Sequence, residues 1–220
     1  MKFKSLTTIT ILILLSQVTM AQTVLRTVLE SASRSSQKVF VEVFVGLNDP
    51  YSPSASFAIS EMLDEFPETL VNIEWHNPGY TPGGSDFDLP ALYNQRGGMY
   101  GVGGIPHSQW NGVESTVGGY PNANWGPMYN AFMNIYNGMA GDETPYEIEI
   151  NGMFDQENDE VTYDVTVTMD ADMSSTNQQV DIFVVEDNIW SYWGAVGIYH
   201  NARNVARNWI TTDGLDLTIS

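Results

Sequence analysis

The run Val39-Phe40-Val41-Glu42-Val43-Phe44-Val45 constrains this chain more than any other stretch of it. With one interruption its residues are β-branched or aromatic, so no alternation separates a wet face from a dry one. Such a segment is expected as a strand covered on both sides, at the centre of a layered α/β unit. The residues after it agree with that placement. Asp49-Pro50 offers a helix N-cap and a proline at the first helical position. Ala55, Ala58, Ile59, Met62, Leu63 and Phe66 then recur at helical spacing, with Pro67 past the end. Leu70 to Trp75 reads as a second strand, and strand, helix, strand of this length implies a right-handed parallel crossover.

From Asn77 to Gly104 the chain is rich in glycine and proline, with a short helix expected from Leu89 to Arg96. Loops this long in compact domains are usually functional or mobile. Asn111-Gly112 is a strong hairpin signal and joins Pro106–Trp110 to Val113–Val117. Trp125 to Met139 reads as a helix, with Met128, Phe132, Ile135, Tyr136 and Met139 on one stripe. Composition shifts at Gly141-Asp142-Glu143, where a domain boundary is expected. Beyond it Tyr146, Ile148 and Ile150, and Val161, Tyr163, Val165, Val167 and Met169, alternate with polar residues as half-exposed antiparallel strands do. Val180 to Val185 adds a strand and Leu215, Leu217 and Ile219 a fourth, so residues 142–220 read as a small β-sandwich-like domain. Four strands would leave open edges, which calls for a covering partner or a natural chain that continues past Ser220.

The first 21 residues carry Lys2 and Lys4, an apolar stretch through Leu15, and the small-residue pattern Thr19-Met20-Ala21, as a cleaved export signal would. The stretch is shorter than the roughly 20 residues that span a bilayer. The chain is therefore expected in the periplasm, at the outer membrane or outside the cell, with no transmembrane anchor. Residues 22–38 form an approach segment and residues 39–141 the first domain. A balance of 8 basic against 27 acidic residues gives −19 over 220 residues, a field that repels phosphate backbones and argues against nucleic acid. There are no cysteines, so disulfides, thiolate nucleophiles and thiolate metal sites are excluded.

The order strand, helix, strand, long insertion, Ile105-Pro106, hairpin, helix resembles the thioredoxin fold. Val43-Phe44-Val45-Gly46-Leu47-Asn48-Asp49-Pro50-Tyr51-Ser52-Pro53 is similar to the Phe-Thr-Gly-x-x-Cys-x-x-Cys-Pro segment of exported thioredoxin-like proteins related to a bacterial outer-membrane protein family. Tyr100-Gly101-Val102-Gly103-Gly104-Ile105-Pro106 resembles the Tyr-x-Val-x-Gly-x-Pro run before that fold's cis-proline, with Asn111-Gly112 following as in that family. Val184-Val185-Glu186-Asp187 and the His200 to Arg207 region weakly resemble the β-domain of those proteins. The resemblance covers Val39 to Met139 best. It implies a cis Ile105–Pro106 bond and a backbone at Ile105 left free to pair with an extended peptide.

The departure is at the reactive pair. Asp49-Pro50-Tyr51-Ser52 stands where redox members carry Cys-x-x-Cys, and a carboxylate and a hydroxyl cannot exchange disulfides. The expected function is thus a redox-inactive binding or structural module of the cell envelope rather than an enzyme. Its peptide-binding residues would be His76, Ile105, Pro106 and His107 and its partner a protein or peptide, with no cofactor and no metal. The rival reading is a hydrolytic or metal-dependent enzyme using Asp49, Ser52, His76 and His107, although no Gly-x-Ser-x-Gly elbow or metal-ligand spacing accompanies them. A third is a calcium-stabilised scaffold built on Asp155, Glu157, Asp159, Glu160, Asp170 and Asp172, none in an EF-hand pattern. Trp190, Tyr192, Trp193 and Tyr199 are expected in core packing, with sugar binding as the other use. Arg203 and Arg207, four apart on an expected helix, should pair with carboxylates.

Overall fold

The computed structural model describes residues 9–15, 35–83, 87, 89–158, 160–169, 179–212 and 215–216. In chain order the elements are β1 (Ile9–Leu15), β2 (Ser35–Ser36), β3 (Val39–Val45), α1 (Ser52–Glu65), β4 (Leu70–His76), α2 (Pro90–Tyr100), β5 (His107–Trp110), β6 (Glu114–Val117) and α3 (Trp125–Met139). They continue with β7 (Glu143–Thr144), β8 (Tyr146–Asp155), β9 (Glu160–Met169), β10 (Gln179–Glu186), β11 (Ile189–Trp193), β12 (Ile198–Ala202), β13 (Val205–Trp209) and β14 (Leu215–Asp216). The architecture is mixed α/β. One eight-stranded mixed sheet runs β1-β10-β13-β4-β3-β5-β6, with β14 also paired to β10.

β3 is central, as its composition demands. All seven residues are buried, β4 pairs with it in parallel from Val39↔Leu70 to Val45↔His76, and β5 pairs with it antiparallel. Val39, Val41, Val43 and Val45 face α1 and α3, whose buried stripes include Ala55, Ala58, Ile59, Met62, Phe132 and Tyr136. Burying a side chain the size of Ile59 or Met62 contributes roughly 1.5–3 kcal/mol. Phe40 and Phe44 face the other way, into a layer with Ile73, Trp75, Tyr93, Phe183, Val185, Ala206 and Trp209. The hairpin turn takes the form its residues favour, with φ of 44° at Asn111 and 72° at Gly112. Asn111 also accepts a hydrogen bond from the Phe40 amide.

The boundary at Gly141 does not divide the sheet. Residues expected in a separate β-sandwich instead supply β10 and β13, and β13 joins β4 through Val205↔Glu74. The reason is an apolar layer that residues 39–141 leave unfinished, since Phe183, Val185, Ala206 and Trp209 close it over Phe44 and Trp75. β8 and β9 form the antiparallel pair read from alternation, over ten register pairs from Tyr146↔Met169 to Asp155↔Glu160, but Tyr146 is its one buried residue and the expected covered face is not formed. Of the expected leader, residues 9–15 pair along β10 as β1, while residues 1–8 and 16–21 lie outside the described residues. So do 22–34 of the approach segment and 217–220 of the expected last strand. Among the described residues no helix is long and apolar enough to cross a membrane.

Candidate functional site

β3 ends at Val45, and Gly46 is glycine because the chain from β4 crosses it. A Cβ there would stand 2.4 Å from Tyr80 Cβ and 3.1 Å from Ile105 Cδ1. The Asp49 amide donates back to the Gly46 carbonyl (3.1 Å), turning the chain into α1. That helix begins at Ser52, so Pro53 rather than Pro50 lies in its first turn and Tyr51 is the residue before it. Asp49 nevertheless does the capping, since its Oδ2 accepts the amides of Ser52 (2.6 Å) and Tyr51 (3.2 Å). Such a cap contributes about 1 kcal/mol. Ser52 is fully buried, and its Oγ accepts the Gly46 amide at 3.1 Å. It braces the turn and presents no hydroxyl to solvent.

The Ile105–Pro106 peptide bond is cis. The Pro106 carbonyl accepts the Gly118 amide, and the Tyr120 amide donates to Ser54 Oγ (2.8 Å). Gly119 is thereby wedged between α1 and the proline, and a Cβ on it would lie 2.7 Å from the Tyr51 carbonyl and 3.0 Å from Pro106 Cγ. Beside this contact opens a cavity of about 430 Å³. Its lining brings Asp49 together with Asn77, Tyr80, Tyr93, Asn94 and the segment Val102 to Ile105. The size falls within the range of about 300–1,000 Å³ typical of ligand sites. The floor is held by Asn77, which donates to Tyr93 Oη (2.8 Å) and accepts the Gly79 amide (2.8 Å), and by the Asn48 amide on the Tyr80 carbonyl (2.7 Å). Burial raises the pKa of Tyr93 against the opposing effect of that Asn77 bond, so its hydroxyl stays neutral well past physiological pH.

Of the sequence candidates, Asp49, Ile105 and Pro106 come together, whereas the two histidines do not. Register places Val45 beside His76 and Phe44 beside His107. Adjacent strand residues face opposite sides, so the sheet separates the two imidazoles. His76 lies under α1, with Nε2 2.7 Å from Glu74 Oε1, while Glu74 Oε2 accepts Ser56 Oγ (2.7 Å). Its ring packs on Phe87 and Trp193. His107 meets Phe44 edge-on, with Nε2 3.3 Å from Gln109 Oε1. Asp49, Ser52, His76 and His107 therefore do not converge, and among the described residues no three His, Asp or Glu side chains could hold a metal ion.

Asp155 closes its own turn, accepting from the side chain and amide of Asn158 and the amide of Glu157, and these bonds lower its pKa. Asp159, Asp170 and Asp172 lie outside the described residues. The aromatic group divides. Trp193 is buried against Phe57, whereas Trp190, Tyr192 and Tyr199 are exposed on the opposite face of the β11–β12 hairpin. Arg203 and Arg207 lie in a loop and on β13 rather than a helix; Arg203 pairs with Asp64 and Asp187, and Arg207 with Glu186. A larger cleft of about 540 Å³ lies against the later half of α1, lined by Glu61, Asp64, Glu65, Trp125 and Tyr129.

One cluster escaped the sequence reading. Glu42, the interruption in the apolar run, accepts Arg96 through Nη2 (2.7 Å) and Nε (2.9 and 3.1 Å), Tyr100 Oη (2.6 Å) and Trp75 Nε1 (2.9 Å). Arg96 also meets Asp181 at 3.1 Å, and its guanidinium lies 5.0–5.2 Å from the ring centres of Trp209, Phe183 and Tyr100. Burial opposes the charge on Arg96, but Glu42, Tyr100 and Asp181 outweigh it and hold the pKa above its ordinary value. For Tyr100 burial first, then Glu42, pushes the pKa well up. A carboxylate inside an apolar strand was the available signal; its partners Trp75, Arg96 and Tyr100, further along the chain, were not.

The fold defines a mixed α/β protein with a cavity between the start of α1 and the segment before Pro106. Among solved structures, HBP35 of Porphyromonas gingivalis is similar in fold, with a TM-score of 0.60 and 20% identity over 84% of this chain. The chain spans 60% of that protein's length. A protein from Agrobacterium tumefaciens aligns over 79% of this chain and 78% of its own, at 13% identity and a TM-score of 0.39. No protein-family model and no curated protein matches the chain.

Proposed function

We propose that this chain is an exported, redox-inactive thioredoxin-like protein, a binding or structural module of the cell envelope whose groove beside Ile105-Pro106 receives an extended peptide. One observation carries the reading: Asp49, standing where redox relatives would place a cysteine, shares an open cavity with Ile105 at a cis Ile105–Pro106 bond. The cis bond beside Asp49 fits an architecture that would present a thiol to a peptide, and the sequence holds no thiol to react. Recognition then rests on main-chain pairing at Ile105 and on the walls of the cavity. The opposite-face placement of His76 and His107 favours this over hydrolysis.

The test is equilibrium binding of a randomised, end-blocked pentapeptide library to the chain and to Gly104→Trp. Gly104 is part of the cavity lining and a Cβ on it meets nothing nearer than Val117 Cγ1 at 3.9 Å, so a bulky side chain can be placed beside the cavity without a backbone clash. Retention by the parent chain and loss in the variant is the expected result. Equal retention by both, or none by either, contradicts the assignment.

A further inference from the structure

We propose that the cavity beside Ile105 selects peptides bearing a lysine or arginine, whose cationic head pairs with Asp49 Oδ1; this rests on the peptide-binding reading and specifies its ligand. Asp49 is 6% exposed, and both capping amides use Oδ2. Oδ1 has no hydrogen-bond partner among the described residues, on a side chain that forms a wall of the cavity. The two amides hold Oδ2, which leaves Oδ1 as the oxygen open to a counter-charge. No described cation supplies one. Arg96 is held by Glu42 and Asp181, Arg203 by Asp64 and Asp187, and Arg207 by Glu186, while Lys38 precedes β3 at the end opposite Asp49.

The remaining polar walls, Asn77, Tyr80 and Asn94, are uncharged amide and phenol groups that can accept the other protons of an ammonium. Val102 and Ile105 offer apolar surface for an aliphatic stem. A net charge of −19 draws basic peptides toward the whole molecule and repels acidic ones.

Three end-blocked pentapeptide libraries with randomised neutral flanks and a fixed central lysine, norleucine or glutamate supply the test, each titrated against the parent chain and Asp49→Asn. Asparagine keeps an oxygen for the capping amides, so binding of the norleucine library by the variant reports an intact groove. The expected result is lysine about tenfold tighter than norleucine in the parent chain, weakened by added salt and lost in the variant. Equal affinity for lysine and norleucine, or a lysine preference that survives in Asp49→Asn, overturns the inference while leaving peptide binding in place. Should Asp49→Asn unfold, Asp49→Ser, which keeps an oxygen for the capping amides, takes its place, and a lysine preference that survives in it overturns the inference. Failure of all three libraries to bind overturns both.

Discussion

Glu42 is fully enclosed, and four donor groups converge on its carboxylate from Arg96, Tyr100 and Trp75. Removing one member of a buried pair leaves the other charge uncompensated, typically at about 3–5 kcal/mol. Glu42→Gln should therefore lower stability by about that amount in urea denaturation, with little change in the exposed β8–β9 hairpin. Loss below about 1 kcal/mol would show that Asp181 alone suffices for Arg96. Tyr100 of this cluster and Tyr93 of the cavity lining set an alkaline limit. Tyr93 and Tyr100 ionise above the ordinary 10.0 when folded, so the unfolded chain releases those protons first. The stability they contribute is complete below pH 10.0 and is lost as pH rises through their raised folded-state values. Urea midpoints measured on either side of that pH should drop, and Tyr100→Phe should make the fall shallower; an unchanged slope would remove Tyr100 from the cause.

Elements whose burial follows from local pattern were legible. β3, β4, the apolar stripes of α1 and α3 and the Asn111-Gly112 turn are each set by residues within about ten positions of one another. α2 was expected to stop at Arg96 but runs to Tyr100, because Gly97 and Gly98 look like a break and yet sit inside the helix, which closes at left-handed Gly101. In the aromatic hairpin the alternation of β11 was the usable signal, since Ser191 and Trp193 are buried between exposed Trp190 and Tyr192. Trp193→Ala should cost about 3–5 kcal/mol by opening a cavity against Phe57, and Trp190→Ala should stay within about 0.5 kcal/mol. Thermal melts of the two variants check this; similar losses in both would mean the hairpin is not anchored through Trp193.

At the scale of the molecule, what sequence could not reveal was long-range. Nothing local says that Phe183 and Trp209 cover Phe44 and Trp75, or that Asp181 completes the pairing of Arg96, so residues beyond 141 read as a separate domain. With β10 and β13 in the same sheet as β3 and β4, residues 39–141 and 179–209 should unfold together. Calorimetry should give one main transition, and two well-separated ones would restore the two-domain division. The groove was legible in part. Asp49, Ile105 and Pro106 lie in motif-like segments, but Tyr80, Tyr93 and Asn94 reach it only through tertiary packing. The central claim is that this groove takes an extended peptide main chain beside Ile105. It is tested most directly by intermolecular NOEs between a bound end-blocked peptide and isotope-labelled protein. The account expects contacts from the peptide backbone to Gly104, Ile105 and Tyr80; contacts confined to the exposed rings of Trp190 and Tyr199, or to the α1–α3 cleft, would contradict it.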